Sequence, residues 1–160
     1  MKKIDLKVII DEVKIDELSA EEQELICSAI KATANSYANY SHFYVGAALR
    51  LANGKIVIGA NQENAAFPSG LCAERTAVFA AQANNPNQPI TMLAIAAKND
   101  KGLLKHPITP CGACRQVILE VEDRYKQPVE ILLYGIQKIY RVNSVKDLLP
   151  LSFVDENMHV

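Results

Sequence analysis

The chain has 160 residues, enough for a domain with a proper core, and 49% of them are apolar, which excludes a disordered chain. A formal net charge of -1 and the lack of any Lys/Arg run exclude the basic stripe that a polynucleotide groove requires, so no nucleic-acid partner is expected. Asp5, Lys7 and Asp11 break the apolar stretch that a signal segment would need after Met1-Lys2-Lys3, and no later stretch approaches membrane-spanning length, so a cytoplasmic protein without a membrane partner is expected.

In chain order, Ile4, Leu6, Val8 and Ile10 alternate with Lys3, Asp5, Lys7 and Asp11, broken only by Ile9, and predict a half-buried strand that caps a sheet edge. The acidic residues from Asp11 to Glu24 read as a solvated face. Ser19 followed by Glu22 is a capping box, and Leu25, Ile26, Ala29, Ile30 and Thr33 keep helical period to about Ser36. Asn53-Gly54 is a strong hairpin signal, so residues 45–52 and 55–61 read as antiparallel strands, with residues 61–63 at a sheet edge or loop. Residues 72–84 and 111–125 read as helices, and 90–97 and 129–134 as apolar strands. Helix, hairpin, helix, strand, helix, strand predicts an α/β fold, a mixed sheet sandwiched between helices.

Three of the four cysteines fall in two pieces, Cys72-Ala73-Glu74-Arg75 and Pro110-Cys111-Gly112-Ala113-Cys114. Zinc in a catalytic site takes three protein ligands in a tetrahedron and keeps its fourth corner for water, and thiolates are among its preferred donors. Cys72, Cys111 and Cys114 supply three, the Cys-x-x-Cys spacing letting two sulfurs from one helical turn reach one ion. Cys27 lies in an apolar helical stretch and reads as a small buried hydrophobe, which disfavours a closed four-cysteine site. With three thiols on a metal no pair remains for a disulfide, as suits a reducing compartment. Glu74 follows a ligand by two residues, too near to be a comfortable second ligand and well placed to serve the open corner as a proton carrier. Both pieces open helices, whose N–H groups and macrodipole favour thiolates. A non-catalytic zinc module would use the same cysteines but not Glu74, and a redox dithiol at 111–114 would leave Cys72 without a role.

Cys-x-Glu followed by Pro-Cys-x-x-Cys is a signature of zinc-dependent base deaminases, and on it the chain resembles the cytidine deaminase family. Tyr40 to Leu49, Gly59 to Ala66, Cys72 to Ala77 and Pro110 to Gln116 look like that family's blocks in the family's order, and the likeness spans roughly residues 20 to 155. The version with three cysteines is similar to the small homotetrameric nucleoside deaminases. The resemblance implies a three-layer α/β/α sandwich with a mixed five-stranded sheet, formed by residues 19–160 as a single catalytic domain, with residues 1–18 as an N-terminal extension. It further implies one Zn2+ per subunit, a homotetramer with sites shared between subunits, and hydrolysis of cytidine and 2′-deoxycytidine to the uracil nucleosides and ammonia in pyrimidine salvage. A deaminase of an aminopyrimidine antibiotic or a modified nucleoside on the same fold is the nearest rival.

Carried over residue by residue, the resemblance gives Asn61 and Glu63 the ribose hydroxyls, Phe43 and Ala73 contacts with the nucleoside, and Phe153 closure over a neighbouring subunit's site. Arg75 resembles an arginine that hydrogen-bonds ligand sulfurs, here Cys72 and Cys111, and relieves the formal charge of -1 that three thiolates leave on zinc. Glu74 would take a proton from water, pass it to N3 of the cytosine ring as oxygen adds at C4, then protonate the departing amine. Gln62 and Phe67 depart from the family's usual aliphatic residue and tyrosine, which leaves recognition of the 5′ end of the sugar open.

Overall fold

The structure, a computed structural model, describes residues 1–159. Three helices, α1 (Ala20–Ala32), α2 (Ala73–Asn84) and α3 (Gly112–Tyr125), pack on a mixed sheet of seven strands. The strands are β1 (Asp11–Val13), β2 (Phe43–Leu51), β3 (Ile56–Ala60), β4 (Ile90–Asn99), β5 (Gly102–Leu103), β6 (Glu130–Tyr134) and β7 (Ile139–Val142). Their order is β1-β7-β6-β4-β2-β3, with β5 added to β4. Every pairing is antiparallel except β4 with β6. A parallel pair needs a long crossover, and α3 lies in the connection that supplies it.

Period-two alternation divides the core. Val45, Ala47, Leu49 and Leu51 of β2, with Leu93, Ile95 and Ala97 of β4 and Ile131 and Leu133 of β6, face α2 and α3 through Ala73, Ala77, Val78, Ile118 and Leu119. Ala48, Ala94, Ala96 and Leu132 point to the other face and meet Leu25, Ile26 and Ala29 of α1. These are the layers of an α/β/α sandwich. The sheet has seven strands where five were expected. The short β5, of two residues, and β7, of four, account for elements that the sequence pattern did not mark.

The capping box at α1 forms as read. Glu22 N–H donates to Ser19 Oγ at 3.3 Å, and Ser19 N–H donates to Glu22 Oε2 at 2.7 Å. The hairpin turn carries one residue more than a two-residue Asn-Gly turn. Gly54 sits at φ +84° with its N–H on Leu51 O at 2.8 Å, and Leu51 N–H closes on Lys55 O at 2.9 Å.

Two expectations fail. Residues 4–10 form no strand; Ile4, Leu6, Val8, Ile9 and Ile10 are exposed, and pairing begins only at Asp11–Val13 against β7. There Asp11 stands opposite Arg141 and meets its Nη2 at 3.4 Å, while Glu12, opposite Tyr140, reaches diagonally to Lys138 Nζ at 2.9 Å. Cys27 is exposed rather than buried, because the inward face of α1 is Glu22, Leu25, Ile26, Ala29 and Ala32 and Cys27 falls outside that stripe.

Candidate active site

Two helix starts converge to build the site. Cys72 is the N-cap of α2 and Cys111 the N-cap of α3, both extended, and Cys114 lies in the first turn of α3 with its side chain buried. The Cys111 sulfur is 3.8 Å from that of Cys72 and 3.6 Å from that of Cys114. All three sulfurs lie within 4.8 Å of one another. The Arg75 guanidinium donates through Nη2 to Cys72 Sγ at 3.6 Å. Of the two sulfurs that the resemblance suggested for Arg75, Cys72 is the one that accepts a hydrogen bond from it among the described residues. The Cys72 thiol is drawn down to about 5, chiefly by its hydrogen bond with Cys114 and then by Arg75 and Cys111, against the effect of burial. Cys114 is correspondingly pushed up, by that same hydrogen bond and by burial.

Glu74, in the first turn of α2, is 5% exposed. Burial raises its carboxyl above the ordinary carboxylate range, and the charge on Cys72 adds to the rise. A cavity of about 310 Å³ is lined by Cys72, Glu74 and Cys111, by Ala73, Phe43 and Thr109, and by Asn61 and Glu63. A second cavity of about 430 Å³ adjoins it through the shared walls Ser41, Asn61, Glu63 and Cys72.

Asn61 and Glu63 sit where the two cavities meet, and local bonds hold both. Val45 N–H donates to Asn61 Oδ1 at 2.8 Å and Asn61 Nδ2 donates to Phe43 O at 2.9 Å, so the amide fastens the end of β3 to the start of β2. Glu63 Oε2 accepts from the N–H groups of Tyr40 at 2.8 Å and Ser41 at 3.2 Å, and Oε1 accepts from the Ser41 hydroxyl. The Ser41 bonds hold the Glu63 carboxyl below its ordinary range. By the usual count of protons and lone pairs, the Asn61 amide keeps one donor and one acceptor position free, and Glu63 keeps acceptor capacity.

Residues 19–127 match the family described as the cytidine and deoxycytidylate deaminase zinc-binding region. A cytidine deaminase of Halalkalibacterium halodurans is 37% identical over 139 residues, 87% of this chain and 98% of that protein. The chain belongs to the cytidine deaminase family. Among solved structures of the family, the cytidine deaminase of Burkholderia pseudomallei is 42% identical and aligns with a TM-score of 0.69 over 81% of this chain and 97% of that one. That of Mycobacterium tuberculosis is 30% identical, with a TM-score of 0.66 over 85% and 99%.

The family's metal fits the donor set. Zinc–sulfur bonds of about 2.3 Å meeting at a tetrahedral angle hold two sulfurs about 3.8 Å apart. The separations of 3.8 and 3.6 Å match that spacing, and the third pair of sulfurs lies within 4.8 Å. The Arg75 Nε is buried without a hydrogen-bond partner beside the same cluster.

Other positions divide. Phe43 and Ala73 line the cavity as the family resemblance requires. Phe153 does not join the site of its own chain; the residue is 58% exposed and its carbonyl accepts from Gln116 Nε2 at 2.8 Å. The Gln62 amide donates to Asn35 O at 3.0 Å and Ala60 O at 3.4 Å, so it ties the loop to the turn that follows α1. Phe67 is exposed and meets Tyr40 edge to face, ring centroids 5.9 Å apart, at the wall of the second cavity. Ser41, Thr109 and Ile108 also belong to the cavity, with no role assigned to them from the sequence. Thr109 and Ile108 could have been suspected from their place just before the Pro110-Cys111 ligand segment, whereas the Ser41 hydroxyl donates to Glu63, 22 positions away.

Proposed function

We propose that the protein is a zinc-dependent hydrolase that converts cytidine and 2′-deoxycytidine to uridine and 2′-deoxyuridine with release of ammonia, in pyrimidine salvage. The observation that carries this reading is a buried carboxyl, Glu74, beside a three-thiol cluster in a cavity that also presents Asn61 and Glu63. Cys72, Cys111 and Cys114 hold the ion, one per subunit. Bound there, zinc supplies Lewis acidity that makes water a nucleophile at neutral pH. Glu74 accepts that water's proton and delivers it to N3 while the oxygen adds to C4. It then takes the remaining proton from the hydroxyl at C4 and passes it to the exocyclic nitrogen, the C4–N bond breaks as the C4 carbonyl forms, and ammonia leaves. Both tasks need a carboxyl whose pKa lies nearer working pH than that of a solvated glutamate, and burial moves Glu74 in that direction.

Phe43 packs on the pyrimidine, Ala73 borders it, and Asn61 and Glu63 take the ribose hydroxyls with the hydrogen-bonding positions their local bonds leave open. Arg75 draws charge from the cluster, and the helix N-termini at Cys72 and Cys111 assist it. Residues 19–160 are the catalytic domain and residues 1–18 an extension to it. The exposed Phe153 suits closure over the site of a neighbouring copy, which makes the working form a homotetramer with shared sites. The cavities carry no Lys, Arg or His among their lining residues, so a neutral nucleoside fits them better than a phosphorylated one. The expected setting is the cytoplasm, without nucleic-acid or membrane partners. No helix among the described residues is long and apolar enough to cross a membrane.

The test is ammonia release and the accompanying ultraviolet change on zinc-loaded protein offered cytidine, 2′-deoxycytidine and CMP in parallel. Turnover of both nucleosides and not of CMP is expected. Bound zinc with no turnover of any of them would overturn the proposal.

A further inference from the structure

The segment that delivers Cys111 has little of its own to hold it. Thr109 and Pro110 lie outside helix and strand and, among the described residues, make no backbone–backbone hydrogen bond. Thr109 nevertheless lines the catalytic cavity, and Cys111 must keep its sulfur within fractions of an ångström of a fixed position.

Arg115, one residue past Cys114, meets this need from the first turn of α3. Its side chain runs back toward the start of the helix, as helical side chains do. Nε donates to Pro110 O at 2.8 Å, Nη2 donates to Thr109 Oγ1 at 3.1 Å, and Nη1 donates to Leu148 O at 2.6 Å. One rigid, planar group thus binds two segments that are otherwise separate, the lead-in to Cys111 and the start of the C-terminal tail. The next residue adds a second point, Gln116 Nε2 to Phe153 O at 2.8 Å.

We propose that Arg115 is a positioning residue that locks the Cys111 lead-in to the C-terminal tail, so that metal affinity and the tail's part in nucleoside binding depend on one guanidinium. The tail's part rests on the proposed function; the effect on metal affinity does not. Gln116 acts on the tail alone, since among the described residues its side chain hydrogen-bonds only Phe153.

The experiment compares Arg115→Ala, Arg115→Lys and Gln116→Ala with the parent. Zinc Kd is measured by competition with a chromophoric chelator, and kcat and KM for cytidine are measured at saturating zinc. Outer-shell partners of metal ligands typically carry about 10- to 100-fold in affinity, so Arg115→Ala should weaken zinc by that order and raise KM. Arg115→Lys should recover only part of the loss, because an ammonium cannot meet three acceptors in one plane. Gln116→Ala should leave zinc Kd within about twofold, a change too small to signal a lost ligand contact, and raise KM. A parental zinc Kd in Arg115→Ala, or in Arg115→Lys if the alanine variant does not fold, would overturn the proposal. So would equal weakening of zinc by Gln116→Ala. Should the parent fail to deaminate cytidine, the functional reading falls while the zinc comparison still decides the role of Arg115.

Discussion

The packing of β3 on α2 offers a test of how the sheet sets the site. A Cβ added to Gly59 would lie 2.5 Å from Ala73 O and from Ala77 N, and 2.9 Å from Ala77 Cα, where ordinary contact begins at 3.4 Å. All three atoms are helix backbone, so no side chain can turn aside to make room. In Gly59→Ala, α2 must therefore retreat from the sheet by about 1 Å, a strain of the kind that costs about 1–3 kcal/mol in a packed core. Because Cys72 caps α2 and Glu74 sits in its first turn, that retreat moves a ligand sulfur and the proton carrier relative to Cys111 and Cys114 on α3. Metal sites tolerate about 0.2 Å and reacting groups lose about 100-fold for 1 Å, so zinc affinity and kcat/KM should both fall by at least one order of magnitude. Gly54→Ala is the control. It meets nothing within 4 Å and is strained only through its φ of +84°, so it should lower Tm and leave zinc and turnover alone. Thermal melts, chelator competition and cytidine kinetics on both variants give the answer. Parental zinc Kd and kcat/KM in Gly59→Ala would refute the argument that this close approach positions the site.

Glu74→Gln should bind zinc and nucleoside normally yet lose about 10²- to 10⁴-fold in kcat, the usual contribution of a general acid–base group, as steady-state kinetics on metal-analysed protein would show. Buried Glu122 accepts from Val129 N–H at 3.0 Å, Val145 N–H at 2.9 Å and Ser144 Oγ at 2.7 Å. Glu122→Ala strands two buried N–H groups and should cost about 2–6 kcal/mol, whereas Glu122→Gln can keep all three partners and should cost about 1 kcal/mol or less, by denaturant unfolding. Burial pushes the Glu22 carboxyl up, but Ser19 and Arg141 outweigh it and leave it below its ordinary value of 4.5. The folded state therefore binds fewer protons there than the unfolded one. Its contribution is present above the unfolded pKa and lost as pH falls through the folded one. Glu22→Gln should accordingly flatten the loss of stability with acid below about pH 4.5, measured by urea titrations at stepped pH; an unchanged slope would count against it.

What could be read from the sequence was whatever is encoded locally. The capping box at Ser19 and Glu22, the Asn53-Gly54 turn and the two cysteine-capped helices each depend on residues within a few positions of one another, and each forms where expected. The metal cluster is legible for a related reason. Its chemistry demands a fixed spacing, so Cys-x-x-Cys and Cys-x-Glu announce themselves even though the fold must bring Cys72 to the other pair. Alternation misled at residues 4–10, because period two says only that a strand could half-bury its side chains, and it does not supply a neighbour. The pairing that exists, Asp11–Val13 on β7, carries ion pairs from Asp11 to Arg141 and diagonally from Glu12 to Lys138, a signal visible only once both strands are known. β7 escaped notice because Ile139 and Val142 are buried at the ends of a four-residue strand whose middle, Tyr140 and Arg141, is only half-buried.

The supporting shell of the site was hidden for a deeper reason. A ligand must be one of a few residue types, but the group that holds a ligand segment in place need only offer a hydrogen bond, and almost any polar side chain can. Arg115 stands directly after Cys114 and still could not be assigned, since its partner Leu148 lies 33 positions away. Asn61 and Glu63 show the same limit from the other side. The family resemblance marked them as a binding pair, yet the bonds to Phe43, Val45, Tyr40 and Ser41 engage much of their hydrogen-bonding capacity within the protein. That engagement constrains function. A side chain already fixed by two or three local bonds is preorganised and offers only its remaining positions, so substrate affinity here should be more sensitive to Ser41 than a surface serine would suggest. Removing the Ser41 hydroxyl would free one Glu63 oxygen and loosen its aim. If Glu63 takes the ribose, Ser41→Ala must raise KM for cytidine while leaving zinc Kd unchanged, and a KM equal to that of the parent would mean that Glu63 serves the loop rather than the sugar.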